Sequence, residues 1–395
     1  MHSSSAPPER ARLEALTGLR FLAAFHVVLF HAALWERWSG PAAVRHVVSA
    51  GYVAVGLFFM LSGFVLTYTH GGPAPVSRTS FYAARFARIY PVYALSLLLA
   101  LPFALRTHLE HGGVGPFLAE GLAAFSLVQS WHPSFAMAWN PPGWSLSVEA
   151  FFYASFPFLA PRLVVLSPRR TLAVMAGALA VLLALPLAWA LSGPEGWSTR
   201  YDTEGLWLDV LRYHPLVRLP EFILGICLGR LFAHAPLRAA LARHAGLLAT
   251  SATALLLGVL ALGPRVPYVL LHNGLLVPAF AVLLLALATD QGLPARLLRH
   301  PWLVRLGEAS YSLYILHTPV VMLVRSVGSR LLGREVLDTP AFVAGTLALT
   351  VVASLVSYRL VEQPLHRRLR RAFAATPKAP PGVAGAPAAP ATERA

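Results

Sequence analysis

Residues 16–32, LTGLRFLAAFHVVLFHA, are apolar enough to lie in a lipid bilayer, yet they carry Arg20, His26 and His31. With its flanks the run covers 13–34. At about 1.5 Å per residue that is enough to cross a hydrocarbon layer of about 30 Å. Ionisable groups inside a span cost several kcal/mol unless they face the protein interior, where they mark a path or a site. Arg20 and His31 stand eleven residues apart. At about 100° per residue both project from nearly one helix face, about 16 Å apart along the axis. His26 is about 140° around the helix from His31 and should point elsewhere. For this helix alone a plainer reading is as good: Arg20 snorkels to the headgroups and His31 packs as a satisfied side chain.

Similar runs recur along the 395 residues, of which 56% are hydrophobic and only 12% charged. Mean hydropathy is +0.61; about a quarter of the residues of a soluble domain are charged. The chain is therefore expected to be all-α and polytopic, with about ten transmembrane helices. They read as 13–34, 51–70, 88–106, 145–161, 172–191, 216–233, 246–263, 269–289, 308–325 and 340–361. The stretch 116–131 is short and Gly-rich and reads as a re-entrant or interfacial helix.

A net charge of +15 in a soluble protein would suggest nucleic acid. Here the basic residues fall in short loops, so they speak of topology, and no nucleic-acid partner is expected. With the N-terminus in the cytoplasm, eighteen arginines fall in inner segments and ten in outer ones, Arg212 and Arg218 among the latter. That bias places both termini in the cytoplasm. The first span is expected to act as an uncleaved anchor. The single cysteine, Cys227, allows neither an internal disulfide nor a cysteine-based metal site. Residues 1–12 form a short cytoplasmic segment, 13–371 the membrane domain, and 372–395 a Pro/Ala-rich tail expected to be disordered. The aromatic outer loop 192–209 suits interfacial anchoring better than sugar contact.

Five further stretches carry polar or small residues. FYAARFARIYP (81–91) sets Arg85 and Arg88 three residues apart on one face. Two neighbouring guanidiniums repel unless they share an anion, and phosphate suits their planar forks; ordinary inner-loop charge is the alternative. WNPPGWSLSVEAFFYASFP (139–157) breaks a helix at Pro141, Pro142 and Gly143, then starts another at Trp144. Ser145 or Ser147 could cap that helix, with Glu149 in its first turns. Alternatively Glu149 lies at the depth of His31 and steadies it as a general base. In 51–70, Gly56, Ser62 and Gly63 make a small-residue face open to a helix or a thin ligand. GEASYSLYILHTPV (307–320) adds Ser310, Tyr311, Ser312, Tyr314 and His317, and RLVEQPLHRRLRR (359–371) ends the last span with Glu362 and a basic cluster.

Together these pieces resemble the acyltransferase 3 family of integral membrane acyltransferases. The matching motifs are LTGLRFLAAFHVVLFH with its Arg-x10-His spacing, LSGFVL, the Arg-x2-Arg of AARFARIYP, WSLSVE, SYSLYILHTP and the final EQP, in family order over residues 16–364. The resemblance implies ten core helices and transfer of an acyl group, usually acetyl, from cytoplasmic acyl-CoA. The acceptor is a hydroxyl of an extracytoplasmic polysaccharide, glycolipid or secreted glycoside, and the setting is the inner (cytoplasmic) membrane. His31 is then the catalytic base, and Glu149 matches the WSLSVE glutamate. Arg85 and Arg88 match the pair assigned to the CoA phosphates, and Arg20 matches the first-helix arginine. Thr17, Ala150 and Phe151 depart from the commoner Asp and Glu-Gln. They are expected to mark a subgroup with a different acceptor; LTGLRF is similar to the start of macrolide-sugar acyltransferases. Some members carry an esterase-like domain; here the membrane domain is expected to finish the transfer, alone or with a separate partner.

The expected mechanism has Arg85 and Arg88 holding acyl-CoA, with Arg20 either on a CoA phosphate or orienting a neighbouring helix. The thin arm of acyl-CoA threads past Ser62 and Gly63 to His31, and Trp144, Ser147, Tyr314 and His317 are candidate acceptor contacts. The partners are membrane lipid and a carbohydrate or glycoside, no metal is expected, and the oligomeric state is open. The rival is a proton-coupled transporter, since intramembrane Arg, His and Glu also build relays. No inverted halves are legible to support it.

Overall fold

The structure is a computed structural model that describes residues 12–32, 39–70, 77–193 and 195–374, and every regular element among them is helical. Residues 1–11, Arg37 and the tail from 375, including most of the stretch expected to be disordered, lie outside the described residues. In chain order the helices are α1 (Glu14–His31), α2 (Ala42–Ser49), α3 (Ala54–His70), α4 (Arg78–His111) and α5 (Val114–Phe125). There follow α6 (Trp144–Val164), α7 (Pro168–Ser192), α8 (Leu206–Tyr213), α9 (Pro215–Phe232), α10 (Ala235–Ala261) and α11 (Tyr268–Asn273). The last are α12 (Val277–Leu287), α13 (Gly292–Leu298), α14 (Pro301–Glu308), α15 (Ser310–Leu331), α16 (Pro340–Ser357), a π-helical turn (Tyr358–Glu362) and α17 (Gln363–Ala374).

Among the described residues, seven helices or helix pairs are long and apolar enough to cross a membrane by length and composition. The protein is thus a multi-pass membrane protein. α6, α9 and α15 are outside that set, although they run 21, 18 and 22 residues. These three carry Glu149, the Arg218–Glu221 pair and His317. Their polarity is tolerated because other helices cover them, and it is what dilutes their apolar signal.

Local chemistry sets the helix ends. Ser167 and Thr339 cap α7 and α16 through the amides of Arg170 (3.4 Å) and Phe342 (3.3 Å), each followed by proline at the first helical position. α6 starts at Trp144 with no side-chain cap. The capping role open to Ser145, Ser147 or Glu149 is therefore not used. α5 is 12 residues long, about 18 Å, too short to cross. The chain after it turns back into the core. Gln129 and Asn140 are buried there, with Gln129 donating to the Tyr93 hydroxyl (2.9 Å) and Asn140 to Ser96 (3.0 Å) and the Ile315 carbonyl (2.9 Å). Of 116–131, read as a re-entrant or interfacial helix, α5 is thus the helical part, and Gln129 opens the turns that lead into α6.

Glycines bring α3 and α9 into backbone contact. A Cβ on Gly63 would strike the Phe222 carbonyl oxygen, and one on Gly225 the Met60 carbonyl oxygen. Gly63 therefore serves helix packing and does not line a ligand path as the sequence suggested. Gly225→Val is expected to cost about 3 kcal/mol through overpacking. The purified protein should then unfold at a clearly lower temperature, with Gly225→Ala between the two; an unchanged transition would mean that the helices are not held at this distance.

Two arginines assigned to outer loops are interior. Arg218 is fully buried in the first turn of α9, bonded to Glu221 (2.9 Å), the His272 carbonyl (2.8 Å) and Asn273 (2.7 Å). Arg212 is buried against the carbonyls of Thr203 (2.8 Å) and Arg200 (2.8 Å). They act as structural ties rather than topology signals, because a buried guanidinium needs several acceptors to offset its lost hydration.

Candidate active site

α1 is the axis of the site. It packs on α3, α14 and α15, and the face carrying Arg20 and His31 looks toward α15. His26 points away and bonds the Val47 carbonyl of the α2 segment at 2.7 Å, as the helical spacing requires. Arg20 and His31 end in two different places, about 16 Å apart along α1.

At the Arg20 end is a cavity of about 120 Å³. Three guanidiniums reach it, from Arg20 on α1 and Arg85 and Arg88 on α4, together with Ser62, Glu149 and Tyr153. Glu149 accepts hydrogen bonds from the Tyr153 hydroxyl (2.5 Å) and from Ser62 (3.1 Å). Arg88 stands 3.7 Å from the buried carboxylate of Glu362, which also accepts a bond from Ser312 (2.7 Å). The Nε atoms of Arg20 and Arg85 are buried without a hydrogen-bond partner. Three cations against two carboxylates, with unmet N–H donors, make a cavity that favours an anion, and guanidiniums are the groups best shaped to hold phosphate oxygens.

At the other end of α1, His31 is exposed and meets His317 of α15, with Nδ1 and Nε2 3.1 Å apart and ring centres 4.9 Å apart. Hydrogen bonding fixes the protons. His317 Nδ1 lies 2.6 Å from the Tyr314 carbonyl oxygen, which can only accept, so that nitrogen carries the hydrogen. In the neutral ring Nε2 then holds a lone pair, and His31 Nδ1–H donates to it and to the Val27 carbonyl (3.0 Å). His31 Nε2 is left with the free lone pair. Phe30 and, behind it, Tyr52 and Tyr201 pack edge-on beside this position, with ring centres 5.0 to 5.7 Å apart.

Tyr314 separates the two places. Its ring lines the cavity, its hydroxyl meets Ser145 at 2.8 Å, and Phe58 packs edge-on against it at 5.9 Å. His317 follows three residues later on α15, about 4.5 Å further along the axis. The cavity therefore ends one aromatic ring short of the histidine pair.

The structure rearranges several sequence expectations. His31 and Glu149 are not partners: Glu149 sits in the arginine cavity, below His31 rather than level with it, and the partner of His31 is His317. The reason is register, since Glu149 is the sixth residue of α6 and has already descended from the end that Trp144 marks. Ser147 is buried and gives its hydroxyl to the Leu127 carbonyl (2.8 Å), pinning the turns before α6. Trp144 is buried among Phe59, Tyr213 and His272. Neither Ser147 nor Trp144 reaches the cavity, whereas Arg20, Arg85, Arg88, Ser62, Glu149 and Tyr314 all line it. The Arg218–Glu221–Asn273 network was missed; its one legible signal was the three-residue spacing of Arg218 and Glu221 in RLPEF.

The sequence matches the acyltransferase domain family over residues 13–359. It is 35% identical over 391 residues to the acyltransferase MdmB of Streptomyces mycarofaciens, covering 92% of this chain and 94% of that one. The exopolysaccharide production protein ExoZ of Rhizobium meliloti is 30% identical over 355 residues, covering 87% and 96%. The O-acetyltransferase OatA of Staphylococcus aureus is 24% identical over 392 residues, or 93% of this chain and 59% of that one. No solved structure matches.

Proposed function

The chain belongs to the acyltransferase domain family, and from that premise we propose that it carries an acyl group, acetyl in the first instance, from acyl-CoA at its arginine cavity to an acceptor hydroxyl at His31. The observation that carries this reading is the stacking of an anion-favouring cavity and a histidine with a free lone pair at opposite ends of α1, one ring apart at Tyr314. CoA is too highly charged to enter a bilayer, but its thioester arm is thin and only mildly polar. The guanidiniums of Arg20, Arg85 and Arg88 hold the phosphates on the cytoplasmic side of the inner membrane. The arm runs past Ser62 and Glu149, and the Tyr314–Ser145 contact parts to admit the thioester.

The acceptor hydroxyl meets the thioester beside His31. Its oxygen attacks the thioester carbonyl carbon while His31 Nε2 takes its proton. The carbon–sulfur bond breaks, the ester forms, and the leaving thiolate regains that proton from His31 to give free CoA. Both substrates are bound together, so no acyl-enzyme is required. His317 holds the tautomer, and the aromatic wall of Phe30, Tyr52 and Tyr201 suits a sugar face. A carbohydrate acceptor on the outer side is in keeping with a relative named for exopolysaccharide production.

Membranes containing the protein should transfer label from radioactive acetyl-CoA into a carbohydrate or glycolipid fraction. Label that crosses the membrane without becoming covalently attached would instead make the protein a transporter.

A further inference from the structure

Arg88 belongs to two cavities. One is the arginine cavity; the other, of about 160 Å³, is lined by Arg88, Tyr358, Glu362, Gln363, His366 and Arg367. The π-helical turn Tyr358–Glu362 and the start of α17 build it against α4. Glu362 and His366, and Gln363 and Arg367, are each four residues apart and share a side of the helix, and wide turns of this kind recur at functional sites. The lining is held in place. Gln363 donates to the Tyr358 hydroxyl at 2.9 Å and accepts from Arg367 at 3.2 Å. The Glu362 carboxylate is buried and engaged by Ser312 (2.7 Å), with Arg88 at 3.7 Å. The negative charge is thus drawn to the Arg88 wall, while Arg367 and His366 form the opposite, basic side.

We propose that this second cavity is a phosphate-monoester subsite of the donor, in which Arg367 and His366 hold the ribose phosphate of acyl-CoA while Arg88 is shared with the diphosphate. The inference rests on the acyl-CoA reading above. CoA carries a diphosphate next to its thioester arm and, further out, a phosphate monoester on its ribose. When the arm lies in the arginine cavity, the diphosphate is at the guanidiniums and the chain must leave past Arg88. The cavity on the far side of Arg88 has polar walls, two guanidiniums and an imidazole, which suit a compact dianion.

The test compares acetyl-CoA with acetyl-dephospho-CoA, which lacks only the ribose phosphate, using full-length protein in membranes. Arg367→Gln with His366→Gln should raise KM for acetyl-CoA about tenfold or more and should not raise it for acetyl-dephospho-CoA. Wild-type protein should prefer acetyl-CoA by a similar factor. Transfer from acetyl-dephospho-CoA doubles as the control for folding. An equal loss with both thioesters, or no loss with acetyl-CoA, would overturn the subsite and leave the donor reading intact. Wild-type protein that uses neither thioester would overturn the donor reading, and the subsite with it.

Discussion

His31→Gln removes acyl transfer: kcat falls by about a thousandfold, the scale on which a positioned general base acts, while the protein still accumulates in the membrane. The substitution is chosen for what it keeps. Glutamine can donate an amide hydrogen to His317 Nε2, as His31 Nδ1 does across 3.1 Å, but it has no lone pair of useful basicity to aim at the acceptor. Because His31 is exposed, no core cavity opens and the stability cost is small. His317→Gln tests the second ring. It leaves the base in place and exchanges the imidazole that accepts from its Nδ1–H for an amide, so the loss is smaller and the pH profile of kcat moves. Single-turnover transfer of labelled acetyl, measured across pH, reads both variants. Normal transfer by His31→Gln would end the catalytic assignment, and an unmoved profile in His317→Gln would leave the second histidine with packing alone.

The second large effect is on the donor. Arg85→Ala combined with Arg88→Ala should raise KM for acetyl-CoA by about a hundredfold or more, two charge-assisted contacts at about 1.5–3 kcal/mol each. The effect on kcat at saturation should be slight, because on the proposed reading these side chains would hold phosphates far from the reacting carbonyl. One complication is built in. Arg88 faces the buried carboxylate of Glu362, and deleting the cation leaves that charge uncompensated, which by itself destabilises a fold. Arg88→Ala with Glu362→Gln removes both charges and separates the two causes. If that pair of changes restores normal KM, Arg88 mattered only as a counter-ion; if KM stays high, it holds donor. Titration of rate against acetyl-CoA concentration in washed membranes gives the answer, and an unchanged KM in the double arginine variant would remove the phosphate role.

The pieces of this site were legible to different degrees. Arg20 and His31 lie on one face of one helix, and their spacing already says so, because helical periodicity is a property of the local chain. The same holds for Arg85 and Arg88, three residues apart on α4. Glu149 was misplaced because its depth depends on where α6 begins and how that helix is tilted. That start is set by buried turns whose anchors, Asn140 to Ile315 and Gln129 to Tyr93, join residues far apart in sequence. Arg218 was misread for a related reason: beside a turn it looks like a loop charge, and only the partners on α9 and α11 show it buried.

The sequence by itself determined that this chain is helical, membrane-embedded and an acyltransferase, since composition, run length and local motifs do not depend on how helices are arranged. It also singled out His31 and the arginines. Only the tertiary structure decided that His31 answers to His317 and not to Glu149, that Gly63 packs while Ser62 faces the cavity, and that Tyr314 closes the way between the two ends. Those are contacts between helices, and inside a bilayer apolar patterning constrains helix contacts weakly, because lipid and protein interior are equally greasy. Which polar groups meet is settled by glycine-sized approaches and by buried donors finding acceptors, neither of which can be read along one strand of sequence.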